Sequence, residues 1–480
     1  MIQSVKVGLS KVLPKSTFAK SVSVMAGGTA GSQLIAVLAA PILTRIYTPE
    51  HFGLLAVYAS LLALIGVVAS LRYELAIPLP ESDVAAANVA VLCLGLVGIA
   101  TFLTVVLVVF AGQPVAELLG TPALASYFWL LPVGVLVAGA FNVFNYWSVR
   151  TKRFSLIARA TVRQSLATIA IQLTAFKLGG VALLFGQVAG QGVGTFSLGK
   201  PALASASFKL VSSKGVATAA KRYRRFPIFT TWAGLFNTAG AQLPPILIAG
   251  FFSVSGAGLF ALAHRILTLP VTLFGSALQS VFLSGAAQAY RNNELGVKVS
   301  SLLNILTQIA VPPALVLVLV APDLFELVFG SSWREAGIMA QWMAPWLVLQ
   351  FCTGPLTIVN AVTENQHLGL LMQVQLFVVR VAMLSIGILY ADLLLAIQLF
   401  ALGSAISYFL FLWVVLWISK VSILYFLKSL TRATIFGVAV VAPLLLFPDF
   451  LTEISTAIAV CLAVVVTTTA RFLVLYRYKV

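Results

Sequence analysis

A chain of 480 residues that is 60% apolar and only 9% charged, with a mean hydropathy of +1.05, has too little polar surface to cover a soluble core. Soluble enzymes and soluble binding modules are thereby excluded, and an all-α polytopic membrane protein is expected. The net charge of +17 does not make it a nucleic-acid binder, because the basic residues fall in short loops and the densest run has no stacking aromatic beyond Tyr223.

Fourteen apolar segments of about 20 residues follow one another, starting near 20, 52, 84, 123, 155, 179, 227, 255, 297, 336, 366, 392, 432 and 453. Residues 1–19 form a basic tail. The apolar stretch behind it runs on to Ile46, longer than the ~7 to 15 residues of a cleavable signal core. The first span carries Gln33, and the turn Thr48, Pro49, Glu50 leads into a second span that ends at Arg72 and Glu74. Two residues apart on a helix, these two point to different faces and are not expected to pair; Arg72 either snorkels to the interface or faces a polar interior.

Further along, the fifth span carries Arg163, and the sixth carries Gln187 and Gln191 beside a ridge of Gly186, Gly190 and Gly194. Glycines at four-residue spacing let a neighbouring helix approach closely. A basic linker at 200–226 follows, then spans with Asn237, Gln242, Arg265, Asn304, Gln308 and Arg380, and two additional helices at 419–480. Prolines within spans, among them Pro41, Pro244, Pro245, Pro270, Pro312 and Pro313, are kink sites.

The chain repeats itself. Thr29-Ala-Gly-Ser-Gln-Leu34 returns as Thr238-Ala-Gly-Ala-Gln-Leu243, and Gly53-Leu-Leu-Ala56 as Gly258-Leu-Phe-Ala261, in the same order and at nearly the same offset. Each offset covers six spans, an even number, so the halves are parallel repeats about an axis along the membrane normal. The expected fold is therefore two parallel six-helix bundles, 20–199 and 227–418, around a central cavity, plus the two C-terminal helices.

Charge gives the orientation. With a cytoplasmic amino terminus, 23 of the 30 basic residues fall on the inside, while Glu50, Glu117, Asp323, Glu326, Glu335, Asp392, Asp449 and Glu453 collect outside. This positive-inside pattern places both termini in the cytoplasm.

A charge inside an apolar span is costly unless it faces water or a partner, so Arg72, Arg163, Arg265 and Arg380 are the primary site candidates. Guanidinium groups match phosphate geometry bidentately. The amides Gln33, Asn237, Gln242, Gln187, Gln191, Asn304 and Gln308 are the companions; each either bonds a neighbouring helix or lines a lumen suited to sugar hydroxyls. Glu74 is the one acid expected within a span, so energy coupling stays open between proton, sodium or anion exchange and pull from downstream consumption.

Arg45-Ile-Tyr-Thr-Pro-Glu-His-Phe-Gly53, together with the Tyr223–Tyr290 stretch containing Phe226-Pro227, Asn237, Gln242-Leu243-Pro244 and Arg265 to Pro270, resembles the Wzx-like polysaccharide and O-antigen flippases. These are the polysaccharide branch of the multidrug/oligosaccharidyl-lipid/polysaccharide exporter superfamily, and the likeness spans most of residues 20 to 420. The resemblance implies movement of an undecaprenyl-pyrophosphate-linked oligosaccharide from the cytoplasmic to the periplasmic leaflet of the bacterial inner membrane. It implies service to O-antigen, capsule or similar polysaccharide synthesis. Members commonly have twelve spans, so the last two are a variation. Expected partners are the polyprenyl-pyrophosphate-linked oligosaccharide, membrane lipid, a coupling ion, and a polysaccharide polymerase with its chain-length regulator.

Enzyme readings find little. Gly194 to Lys200 mimics a P-loop, but Pro201 replaces the Mg²⁺-binding hydroxyl and no strand precedes it. His51, His264 and His367 lack triad or zinc spacing, and Cys93, Cys352 and Cys461 lack metal or disulfide logic. No cofactor or metal is expected. The rival functions are a membrane polysaccharide polymerase or ligase, which should display a sizeable external loop, and a drug or cation antiporter, which should offer mid-membrane carboxylates.

Overall fold

The computed structural model describes residues 17–446, and every regular element among them is helical. The first unit contains α1 (Thr17–Ile46), α2 (Pro49–Ala69), α3 (Asp83–Leu118), α4 (Leu130–Arg150), α5 (Phe154–Thr174), α6 (Gly180–Leu203) and a short α7 (Ser213–Arg222). Helix α8 (Thr231–Phe251) follows, then α9 (Val254–Arg291), α10 (Leu295–Phe329), α11 (Arg334–Thr353), α12 (Gln366–Leu389), α13 (Leu393–Ile418) and α14 (Ile423–Leu446). The first thirteen predicted spans each coincide with one of these helices, and the fourteenth lies outside the described residues. The thirteenth starts at Ile423 rather than near 432, because the helix extends through the polar turn around Lys428 before its apolar run.

Ten helical stretches among the described residues are long and apolar enough to cross a membrane. The chain is a polytopic membrane protein whose described residues form only helices. Helices α5, α8 and α14 fall outside the ten, α5 because of its arginines and α8 because of the amides singled out above.

Helix starts are set by hydroxyl and carboxyl caps. Thr48 accepts from the His51 amide while the His51 ring accepts from the Thr48 amide, a capping box at the head of α2. At the equivalent position of the repeat, Ser253 accepts from the Gly256 amide and opens α9. Several helices stop on non-glycine residues with left-handed backbone, namely Leu71, Arg72, Lys152, Asn293, Glu364, Ala391 and Lys420.

The chain divides into two compact units, one running to Gln242 and the other from Leu243. The division falls inside α8, and the basic 200–226 segment packs on the first unit. Tyr73 Oη donates to the Ala220 carbonyl at 3.0 Å, the Ser212 amide donates to Asn88 Oδ1 at 3.1 Å, and the Trp147 and Phe208 rings meet edge to face. Burial pushes the Tyr73 phenol above its ordinary value of 10.0, so it stays a protonated donor well past neutral pH.

The repeat is visible in packing. In the first unit α3 packs on α4, α4 on α6 and α5 on α6; in the second, α10 packs on α11, α11 on α13 and α12 on α13. The cores correspond, with Cys93, Val143, Phe144 and Leu198 in one and Leu303, Cys352, Phe411 and Leu412 in the other.

Inside hydrocarbon the lipid tails are as apolar as leucine, so close packing rather than water exclusion holds helices together. The α5–α6 seam shows this. A Cβ at Gly190 would overlap the Thr168 hydroxyl, and one at Gly194 would lie 2.8 Å from Gln164 Oε1. Gln172 closes the seam by donating to the Leu183 carbonyl at 3.1 Å.

Candidate functional site

Arg265 sits eleven residues into α9, about 16 Å along its axis at ~1.5 Å per residue. Its side chain is exposed, and it has no ion-pair partner among the described residues. Thr268 and Thr272 follow at helical spacing, each hydroxyl bonded back to its own helix, so a polar stripe continues from the arginine. The threonines were not singled out from sequence, although their spacing from Arg265 was the available signal.

On α5, Arg163 is likewise exposed and without an ion-pair partner among the described residues. Arg159 and Ser155 precede it at successive four-residue steps on the same exposed face. Arg159 is one of the basic residues that the charge pattern places on the cytoplasmic side, and the sequence does not single it out as a site residue. The opposite faces of this helix pack on α1 and α6, with Ser165 Oγ donating to the Ser32 carbonyl at 3.0 Å.

Arg72 and Glu74 depart from expectation. Helix α2 ends at Ala69, the chain turns through left-handed Leu71 and Arg72, and Tyr73–Ala76 forms a 3₁₀ turn. Neither residue is therefore inside a span, and helical face geometry does not apply to them. Arg72 Nη1 lies 3.6 Å from Glu74 Oε1, so the two do pair. Glu74 is buried and also accepts from the Ser70 hydroxyl. The Arg72 guanidinium lies against the backbone of Gly234, where a Cβ would come within 2.7 Å of it.

Arg380 is enclosed. Only 8% of the residue is exposed, Nε donates to Ser404 Oγ at 3.0 Å, and the guanidinium carbon lies 5.3, 5.4 and 5.7 Å from the ring centres of Trp346, Phe400 and Tyr408. His264 stacks on Phe260 and leans over Trp346, completing an aromatic box. Three ring faces and a hydroxyl solvate this cation in place of water. The sequence places Arg380 with the lumen arginines because it shows a charge in a span but not the rings from other helices.

The amides divide. Gln242 accepts from the Ser60 hydroxyl at 3.0 Å, tying α2 to α8, while Asn237 is exposed on α8. Gln33 and Gln187 are half-buried, and Gln191 keeps a buried carbonyl oxygen without a hydrogen-bond partner. Asn304 and Gln308 share a face as their spacing requires, and that face meets α14. Ser429 Oγ donates to Asn304 Oδ1 at 2.8 Å, and Gln308 Nε2 donates to the Ser429 carbonyl at 3.0 Å. The residues resembling a P-loop lie wholly within α6. Cys93 and Cys352 are buried, and Cys461 lies outside the described residues.

A curated relative, the succinoglycan biosynthesis transport protein ExoT of Rhizobium meliloti (strain 1021), is 26% identical over 331 residues, 64% of this chain and 61% of that protein. The chain thus spans less than two thirds of that relative. Among solved structures, the lipid II flippase MurJ in an inward closed conformation superposes with a TM-score of 0.71 at 12% identity, covering 93% of this chain and 98% of that one. An inward-facing multidrug resistance MATE family transporter of the MOP superfamily superposes at 0.57 and 17% identity, over 82% and 94%. At such identities the likeness is one of fold. The family description "polysaccharide biosynthesis protein" matches residues 42–337, more than half of the chain. This multi-pass helical protein, with the fold of MurJ and MATE transporters, belongs to the polysaccharide biosynthesis protein family.

Proposed function

We propose that the protein is a flippase that carries a polyprenyl-pyrophosphate-linked oligosaccharide from the cytoplasmic to the periplasmic leaflet of a bacterial inner membrane. O-antigen, capsule or exopolysaccharide synthesis would be the pathway served, and both termini would be cytoplasmic. The observation that carries the reading is Arg265, an exposed guanidinium midway along the apolar stretch Val254–Leu273 that opens α9, with no acid paired to it among the described residues. Such a group cannot rest in lipid, and a hydrated passage accepting an anion removes the cost. The pyrophosphate, or acidic sugars, would be that anion, held bidentately.

Arg163, with Arg159 beside it, would supply a second cationic surface, and the amides Gln33, Asn237, Gln187 and Gln191 would meet sugar hydroxyls. Arg72, Gln242, Asn304, Gln308 and Arg380 have partners within the protein and are assigned here to holding its helices. The sugars would enter the cationic passage while the lipid tail stays in the bilayer, and rocking of the two repeats would expose the cargo outside. A coupling ion, a polymerase and a chain-length regulator are the remaining proposed partners.

Deletion of the gene should trap lipid-linked oligosaccharide on the inner leaflet, read by its inaccessibility to an external glycosidase. Surface-exposed but unpolymerised units would instead identify a polymerase, and drug sensitivity alone would identify an antiporter.

A further inference from the structure

The second unit contains a cavity of about 980 Å³ that plays no part in the transport reading. It forms where three helix connections meet, namely the α9–α10 turn, the turn before α12 and the α13–α14 turn. Along α9 its nearest lining residue, Tyr290, is 25 residues beyond Arg265, about 37 Å at ~1.5 Å per residue. It is therefore separate from the stripe assigned to the cargo.

Its chemistry is that of a membrane boundary. Tyr290, Trp417 and Tyr425 line it with substantially exposed rings, 48%, 71% and 38%. Aromatic rings of this kind settle at headgroup depth. Lys420 lines the cavity from a left-handed turn position, and Arg291, Lys298 and Lys428 stand exposed on the adjoining ends of α9, α10 and α14. The acids there are Glu294 and Glu364, so positive charge is in excess. Ser419, also in the lining, is 5% exposed, and its hydroxyl has no hydrogen-bond partner. A buried hydroxyl without a partner is costly, and a bound acceptor removes that cost.

We propose that this cavity binds the headgroup of an anionic phospholipid of the inner leaflet. The phosphodiester is drawn by Lys420 and Ser419, and the acyl chains leave past Trp417 and Tyr425. A basic pocket between helix ends on the cytoplasmic side suits such headgroups, and the positive-inside orientation proposed above puts these turns on that side. The bound lipid bridges the α13–α14 turn to the α9–α10 turn.

The test uses full-length protein in phosphatidylcholine vesicles containing increasing fractions of brominated phosphatidylglycerol or brominated phosphatidylcholine. The readout is the fluorescence quenching lost in Trp417→Phe. Half-maximal quenching at a several-fold lower fraction of the glycerol lipid is expected. Lys420→Gln should raise that fraction about fivefold, Lys420→Arg should preserve it, and Lys214→Gln on α7 and Arg265→Gln on α9 should leave it unchanged. Equal quenching by the two lipids, an unaltered Lys420→Gln, or no quenching by either lipid would each overturn the proposal. So would stronger displacement of the probe by polyprenyl phosphate than by unlabelled phosphatidylglycerol, which would make this a cargo site. Because Arg265→Gln is silent here and decisive for export, failure of one proposal is distinguishable from failure of the other.

Discussion

Four arginines look alike in sequence and meet three different fates. Arg265 and Arg163 remain exposed and without an acid among the described residues, whereas Arg72 leaves its helix to pair with Glu74 and Arg380 is boxed by aromatic rings. Arg265→Gln should abolish surface polysaccharide at normal protein level, measured by immunoblot of both. Arg380→Gln should act on stability instead. It leaves three ring faces and Ser404 without their cation, at a cost of about 2 kcal/mol, seen as a lowered unfolding temperature in detergent. Lys at this position should recover only part of it, since an ammonium lacks the planar fork. The positions of Arg163, Arg265 and Arg380 along their spans were legible from sequence, whereas Arg72 lies in a turn beyond its span. The partners were not legible, because Trp346, Phe400 and Tyr408 come from other helices and the Arg72–Glu74 pair depends on a backbone turn that helical periodicity does not foresee.

At the level of the helix pair, the glycine ridge of α6 was recognisable from its four-residue spacing, and α5 proves to be what fills it. Gly190→Leu should overpack this seam by about 1–3 kcal/mol, lowering the amount of protein recovered from membranes. The amide pair Asn304 and Gln308 carried an ambiguity that spacing could not resolve, since a shared polar face suits a lumen or a neighbour equally. Its neighbour is α14, reached through Ser429. Interhelical bonds of this type average about 0.6 kcal/mol each. The double change Asn304→Leu, Gln308→Leu should therefore loosen α14 modestly and speed proteolysis at the turn from Ser419 to Ser422, compared by timed digestion. This contact also gives the thirteenth span a structural role, which the twelve-span pattern of the resembling exporters left unexplained.

For the molecule as a whole, membrane topology is the claim most exposed to test. A cysteine placed at Lys214 should react with a membrane-impermeant maleimide only after the inner membrane is opened, whereas one at Asp323 should react once the periplasm alone is accessible. Reversed labelling would invert the orientation and move the proposed lipid cavity to the other leaflet. Helical class, span positions, the internal repeat and the family likeness were all determined by the sequence itself. They rest on composition, local hydropathy and short-range periodicity, which the bilayer enforces span by span because no backbone polar group can go unsatisfied in hydrocarbon. Only the tertiary structure decided which polar side chains are consumed in holding helices together and which remain exposed. That choice depends on groups brought together from distant segments, as when Ser60 meets Gln242 or Trp346 meets Arg380.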